Sequence, residues 1–180
     1  MFVFDDMHIR PVEEKDLSFI KKLRNDPSTW VNLTSIEMLT DQNQIEWLHS
    51  LQGSNKKYFI ACRVIDNVPV GMIRTDFIDH INSNIQIGAD VAPEFRGQGY
   101  GDKIYKLFLR YCFDYLNMHR VWLLVVDYNN IGLHLYLKNG FKEEGRQREA
   151  ILREGKYHDY VMMSILEREY RSKPNYSFGY

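Results

Sequence analysis

The sequence predicts an α/β domain built on a sheet of mixed direction, and three observations carry that prediction. Segments with period-two alternation or continuous apolar character interleave with segments whose apolar residues recur at helical spacing. Their order reads β-α-α-β-β-β-α-β-α-β-β, which combines a hairpin with helix-linked crossovers. A glycine-rich turn, with Gly97, Gly99 and Gly101, lies between a strand and the longest helical segment.

Each element has its own signal. Residues 8–11 form a short strand closed by Pro11. Residues 12–25 read as a helix, with Glu13, Glu14 and Asp16 in its first turn, Leu17, Phe19, Ile20 and Leu23 as apolar residues, and the breaker Asp26-Pro27-Ser28 after it. A second helix spans 40–51, capped by Thr40 or Asp41, with Ile45, Leu48 and Leu51 as its apolar stripe. Strands at 58–65 and 70–77 flank the turn Asp66-Asn67-Val68-Pro69. A further strand at 84–91 alternates Ile85, Ile87, Ala89 and Val91 against Gln86, Gly88 and Asp90. The helix at 99–116 gathers Tyr105, Phe108, Leu109, Cys112, Phe113 and Leu116 on one face. Residues 121–126 are continuously apolar, as in a strand buried on both faces. A short helix at 131–139 stops at Gly140, and 161–166 is the last clear strand. No repeat or linker divides the chain, so residues 1–170 read as one domain followed by a tail, 171–180.

Composition narrows the function. With 44% hydrophobic residues in 180, the chain can bury a core without disulfides or structural metal. Lys plus Arg total 23 against 24 Asp plus Glu, and a net charge of −1 argues against a nucleic-acid binder. Cys62 and Cys112 lie in apolar runs and read as reduced, buried thiols. The six histidines show no metal-ligand spacing, so no metal is expected. No apolar run approaches membrane length and no secretory signal opens the chain; a cytoplasmic location without membrane contact is the expectation.

The segment from Val91 to Gly101 is the most informative. Glycines let a backbone approach a ligand closely and take positive φ. The following helix N-terminus presents unpaired N–H groups and the positive end of its dipole, which suits an anion such as pyrophosphate, with Arg96 adding a charge. The pattern is neither a Walker loop nor the dinucleotide fingerprint, since it lacks G-x-x-x-x-G-K-[ST] and the third glycine of G-x-G-x-x-G. A ligand-free strand-to-helix turn is the alternative reading of the segment alone.

Arg96-x-x-Gly99-x-Gly101 resembles the R/Q-x-x-G-x-G/A acetyl-CoA loop of the GNAT N-acetyltransferases. Asn129-Asn-Ile-Gly-Leu-His-Leu-Tyr136-Leu-Lys-Asn-Gly140-Phe141 is similar to that superfamily's N-x-x-A-x-x-L-Y-x-K-x-G-F segment, and one helix and one apolar strand separate the two, as in the family. Residues 116–120 and 144–163 resemble its RimJ/RimL-like branch. The resemblance covers roughly residues 8–170. It implies the GNAT fold, a central mixed twisted sheet of about seven strands flanked by about four helices, with strands four and five splayed apart.

It also implies an activity: acetyl transfer from acetyl-CoA, a co-substrate, directly to an amine. Backbone at Ala89 and Val91 would pair with the pantetheine arm. Amides from Gly97, Gln98, Gly99, Tyr100 and Gly101, with Arg96, would hold the pyrophosphate. Asn129 would bond the cofactor arm or simply cap its helix. Tyr136 would be the general acid to the departing thiolate, or else a core aromatic. Many relatives carry a glutamate base where this chain has Gln86, which cannot accept a proton. Asp90, Asp76, His80 and a water chain remain as candidates for the base, with Asp90 placed beside Tyr136 in the expected catalytic set. Trp30 and Trp47 read as packing residues, and 146–149 as a solvated edge or a loop on the substrate side. Asp26, Glu37, Asp41 and Glu46 near the acceptor wall mildly favour a cationic acceptor. The expected partner is a small-molecule or peptide amine (a protein N-terminus, a polyamine or an amino-sugar nucleotide), with a homodimer as the expected assembly. A cofactor-binding regulatory module without turnover is the competing class, and Gln86 is the residue that sustains it.

Overall fold

Apolar residues of the strand segments meet in one eight-stranded sheet in the computed structural model, which describes residues 1–172. The strands are β1 (Phe2–Phe4), β2 (Met7–Pro11), β3 (Lys57–Arg63), β4 (Pro69–Asp79), β5 (Asn84–Val91), β6 (Arg120–Val126), β7 (Lys142–Arg153) and β8 (Lys156–Leu166). Their spatial order is β1-β2-β3-β4-β5-β6-β8-β7. Neighbours run antiparallel except β5 and β6, which are parallel and joined through a helix. The sheet is thus mixed, with one strand more than expected, because β1 adds to the N-terminal edge. The expected fourth and fifth strands are accordingly β5 and β6. The expected tail begins at the end of the last helix, and residues 173–180 lie outside the described part of the chain.

The helices are α1 (Leu17–Asn25), α2 (Pro27–Trp30), α3 (Asp41–Ser50), α4 (Tyr100–Arg110), α5 (Asn130–Lys138) and α6 (Glu167–Arg171). A 3-10 turn, Glu14–Asp16, precedes α1, so the helix expected from residue 12 starts later. Asp16 is buried and receives two bonds from the Arg10 guanidinium at 2.7 Å each, which pins this turn to β2. The breaker at Asp26 ends α1 and also opens α2, its carboxylate accepting from the Ser28 N–H with Pro27 in the first helical position. Thr40 caps α3 in a capping box with Asn43.

The two larger of three apolar clusters among the described residues lie on the two faces of the sheet, the third gathering Val126, Ile151 and Tyr160. Ile73, Ile85 and Ile87 pack with Ile104, Phe108 and Leu109 of α4. Ile20 and Leu23 of α1 pack with Ile60, Cys62 and Met72. After α4, Tyr111–Tyr115 form a π-helical turn that keeps Cys112 and Phe113 buried. Both cysteines are free thiols, and both are buried. The segment at 146–149 is neither loop nor turn but part of β7, an exposed edge strand. The stripe expected on α3 is displaced: Ile45 is exposed, while Gln44 is buried and Trp47, Leu48 and Leu51 are half-buried. No helix among the described residues is long and apolar enough to cross a membrane.

Candidate active site

The sheet opens between β5 and β6. These strands pair only at Asn84–Arg120, Ile85–Val121 and Gln86–Trp122. Beyond Gln86, β5 stays paired with β4 as far as Gly71–Val91, while β6 stays paired with β8 as far as Val126–Tyr160. Each strand follows its outer neighbour, so the inner edges diverge. The Ala92 N–H donates to Val70 O on the β4 side at 2.9 Å. Main-chain polar groups alternate sides along a strand, so the N–H groups of Val91 and Ala89 face the opening. Such an edge is a template for an extended, amide-bearing ligand.

β5 runs directly into the glycine turn through a 3-10 turn, Pro93–Phe95. Gly97 and Gly99 have φ of 72° and 84°, a region that glycine enters without penalty. A Cβ on either would meet nothing within 4 Å, so the approach to this backbone is clear. Gly99 is the N-cap of α4, whose first amides lack intrahelical acceptors. Gly101 serves packing instead, since a Cβ there would lie 3.1 Å from Leu135 Cδ2 of α5. Gln98 is tied back, its Nε2 donating to Glu94 O at 2.9 Å, and the Tyr100 ring meets Phe95 edge-on.

Arg96 is a clamp as well as a charge. Its Nε donates to Val91 O at 2.9 Å, and its two terminal nitrogens donate to Ser28 Oγ and Thr29 Oγ1 at 2.5 Å each. These bonds hold the loop against α2 and use three of a guanidinium's five N–H groups, leaving two for an anion.

Across the opening, Asn129 caps α5, its Oδ1 accepting from the Gly132 N–H at 2.9 Å. The expected capping role is therefore present, and the Asn129 Nδ2 is not needed for it. Tyr136, on α5, meets Tyr105 edge-on with ring centroids 5.0 Å apart and Phe141 at 5.9 Å. Burial raises the Tyr136 pKa above the ordinary phenol value, the neighbouring Tyr105 partly offsets this, and Asp90 raises it further. Tyr136 is thus a protonated phenol at neutral pH, electrostatically coupled to Asp90 and Arg74 of the opposite strands.

Asp90 accepts from Arg74 Nη1 at 2.6 Å and is largely shielded from solvent. Arg74 also lies 3.4 Å from Asp76. Burial alone would lower the Arg74 pKa, but Asp90 and Asp76 raise it above the ordinary arginine value. Gly88 makes room for this guanidinium: a Cβ there would sit 2.8 Å from Arg74 Cζ. Arg74 and Gly88 were not legible as site residues in the sequence, because their meeting depends on the β4–β5 register, Arg74 opposite Gly88.

A cleft of about 930 Å³ adjoins this cluster on the α1–α3 face. Its floor includes Met72, Arg74, Asp76 and Gln86, and its walls include Arg24, Trp47, Tyr58 and Glu46. Trp47 therefore lines the cleft, stacked edge-on against Tyr58 at 4.9 Å, whereas Trp30 packs locally through its Nε1–H to Ile36 O. Glu37 and Glu46 line the cleft; Asp26 is a helix cap and Asp41 pairs with Lys21. His80 sits exposed in the β4–β5 turn, before the Asn84 end of β5, and that end lies seven residue steps, about 23 Å of strand, from Val91. The structure thus separates His80 from the cluster and brings Asp76, Asp90 and Gln86 to it.

Comparison with known proteins places this geometry among relatives. The model of a family described as an acetyltransferase (GNAT) domain matches residues 6–142. The chain is 26% identical over 165 residues to a spermidine N(1)-acetyltransferase of Escherichia coli K12, covering 90% of this chain and 87% of that protein. It superposes with a TM-score of 0.87, at 26% identity over 92% of this chain and 98% of the other, on spermidine N-acetyltransferase from Vibrio cholerae in complex with CoA and spermine. A dodecameric structure of the Vibrio cholerae enzyme in an intermediate state matches with a TM-score of 0.79 and 27% identity, over 93% and 99% of the two chains.

Proposed function

The chain belongs to the GNAT acetyltransferase family, and on that premise we propose that it transfers the acetyl group of acetyl-CoA to a primary amine at the opening between β5 and β6. The observation that carries this reading is continuity: the unpaired edge of β5 leads, through one 3-10 turn, into the glycine turn and the α4 N-terminus. One extended cofactor can then satisfy Ala89 and Val91 with its pantetheine amides and the amides of residues 97–101 with its pyrophosphate. The two N–H groups that Arg96 leaves unused would add to the same anion's donors, and Asn129 Nδ2 would donate to the arm.

Transfer then needs positioning, charge stabilisation and two proton movements. The amine nitrogen attacks the thioester carbon, and the C–S bond breaks as the tetrahedral intermediate collapses. Tyr136 gives its proton to the departing sulfur. Asp90, paired with Arg74, takes the proton that the amine sheds, directly or through water, and passes it to solvent, from which the phenol regains its own. Buried Tyr105 sets the orientation of Tyr136.

Spermidine, the acceptor in the named relatives, and a peptide N-terminus, the acceptor suggested by the RimJ/RimL-like segment, are the first two arms of the test. Homodimer formation is proposed with the activity, supported by the dodecameric relative. Release of free CoA thiol is followed over a panel of amines at saturating acetyl-CoA. Amine-dependent release with a mass-identified acetylated product is the expected result. Cofactor binding without release for any amine contradicts the enzymatic reading and favours the binding-module class.

A further inference from the structure

The cleft on the α1–α3 face carries as many cations as carboxylates. Arg24, Lys56 and Arg74 line it together with Glu37, Glu46 and Asp76. Arg74 is committed to Asp90 and Asp76. Arg24 is not so provided. It projects from α1, half-buried, and its Nε is buried without a hydrogen-bond partner among the described residues. Burial, and then the like charge of Arg74, hold the Arg24 pKa below the ordinary arginine value; the carboxylates that oppose this, Asp90 and Asp76, are shared with Arg74.

A half-buried cation without its own counter-ion is costly, and the cost is recovered when a ligand brings the anion. A polyamine brings only further positive charge to this floor. We infer that the acceptor is an amine that also carries an oxyanion, carboxylate or phosphate, which Arg24 receives while the amine reaches the opening between β5 and β6. This rests on the acetyl-transfer reading and deepens it by naming the substrate class. Trp47 and Tyr58 supply an apolar wall between the two ends. Arg24 is a specificity-determining residue in this account and takes no part in the chemistry.

Matched acceptors test it. Lysine is compared with cadaverine, which lacks only the carboxylate, and phosphoethanolamine with ethanolamine, with spermidine alongside; kcat/KM is read from thiol release. In at least one pair the anion-bearing amine is favoured by about tenfold or more, the scale of a charged hydrogen bond. The pair that shows the preference distinguishes carboxylate from phosphate. Arg24→Gln abolishes that ratio through KM, and Arg24→Lys keeps part of it. Binding of the same compounds to the CoA-loaded protein is measured by calorimetry in parallel. Arg24-dependent binding of the anionic amine without any turnover sinks the acetyl-transfer reading and leaves this inference standing. Turnover in which cadaverine and ethanolamine equal or exceed their anionic partners, or a preference that survives Arg24→Gln, overturns the inference and leaves the transfer reading intact. Should Arg24→Gln lose acetyl-CoA binding through misfolding, the wild-type ratios and Arg24→Lys decide the matter.

Discussion

Tyr136 owes its proposed chemistry to its surroundings on α5. Burial keeps the phenol protonated, and its contacts with Tyr105 and Phe141 fix the ring. Tyr136→Phe preserves the ring packing and removes only the hydroxyl with its proton, so the change reads out chemistry and not folding. A positioned acid contributes about 10² or more in rate, near 3 kcal/mol. Tyr136→Phe is therefore expected to lower kcat by about a hundredfold while the acetyl-CoA Kd stays within about twofold; an unchanged kcat removes Tyr136 as the acid. At this scale the sequence was legible where spacing speaks. Tyr136, Asn129 and the glycines stand at motif positions, and Gln86 was visible as a departure from the family's glutamate. Arg24 and Arg74 were not, because an arginine on an amphipathic helix or a strand has no distinguishing pattern until the register brings Arg74 onto Gly88 and the cleft exposes what Arg24 lacks.

The strand-loop-helix unit from β5 to α4 places the proposed phosphate site. Gly99 has positive φ and open space where a side chain would start. Any L-residue there carries a backbone penalty of about 1–2 kcal/mol, heaviest for a β-branched one. Gly99→Val also puts its side chain into the space the phosphate would occupy. It is expected to raise the acetyl-CoA Kd at least about tenfold and to lower stability in urea by about 1–2 kcal/mol; normal cofactor affinity refutes the loop assignment. Most elements were legible from periodicity, including β5 over its full length and α3 to within a residue of each end. The failures have physical causes. β7 is an edge strand, nearly all exposed, so it lacks the alternation that a buried face imposes. In α3 the inward side is a cleft, so it takes Gln44 and Trp47 where a packed helix would take Ile45. The π turn after α4 shifts phase yet keeps Cys112 and Phe113 inside, so helical spacing alone could not reveal it.

Over the whole molecule, one opening in one sheet divides the chain into halves that other contacts hold in place. The Tyr128 hydroxyl donates to Val31 O at 2.6 Å, and Arg153 reaches Val31 O and Leu33 O, so the segment between α2 and α3 is strapped to the β6–β8 half. That segment supplies Thr34, Ser35 and Glu37 to the cleft. The near-neutral net charge of −1 is consistent with this design, because a polyanionic cofactor is to be met by backbone amides and one clamped arginine and needs no basic surface. The central claim is that acetyl-CoA lies along the free edge of β5 and over the turn beyond it. Residue-resolved amide hydrogen exchange with and without saturating acetyl-CoA tests this most directly. Slowing of about tenfold or more is expected at Ala89, Val91, Gly97, Gly99 and Gly101, with the amides of β7 unchanged; bound acetyl-CoA that leaves those five amides exchanging as in the free protein would contradict this placement.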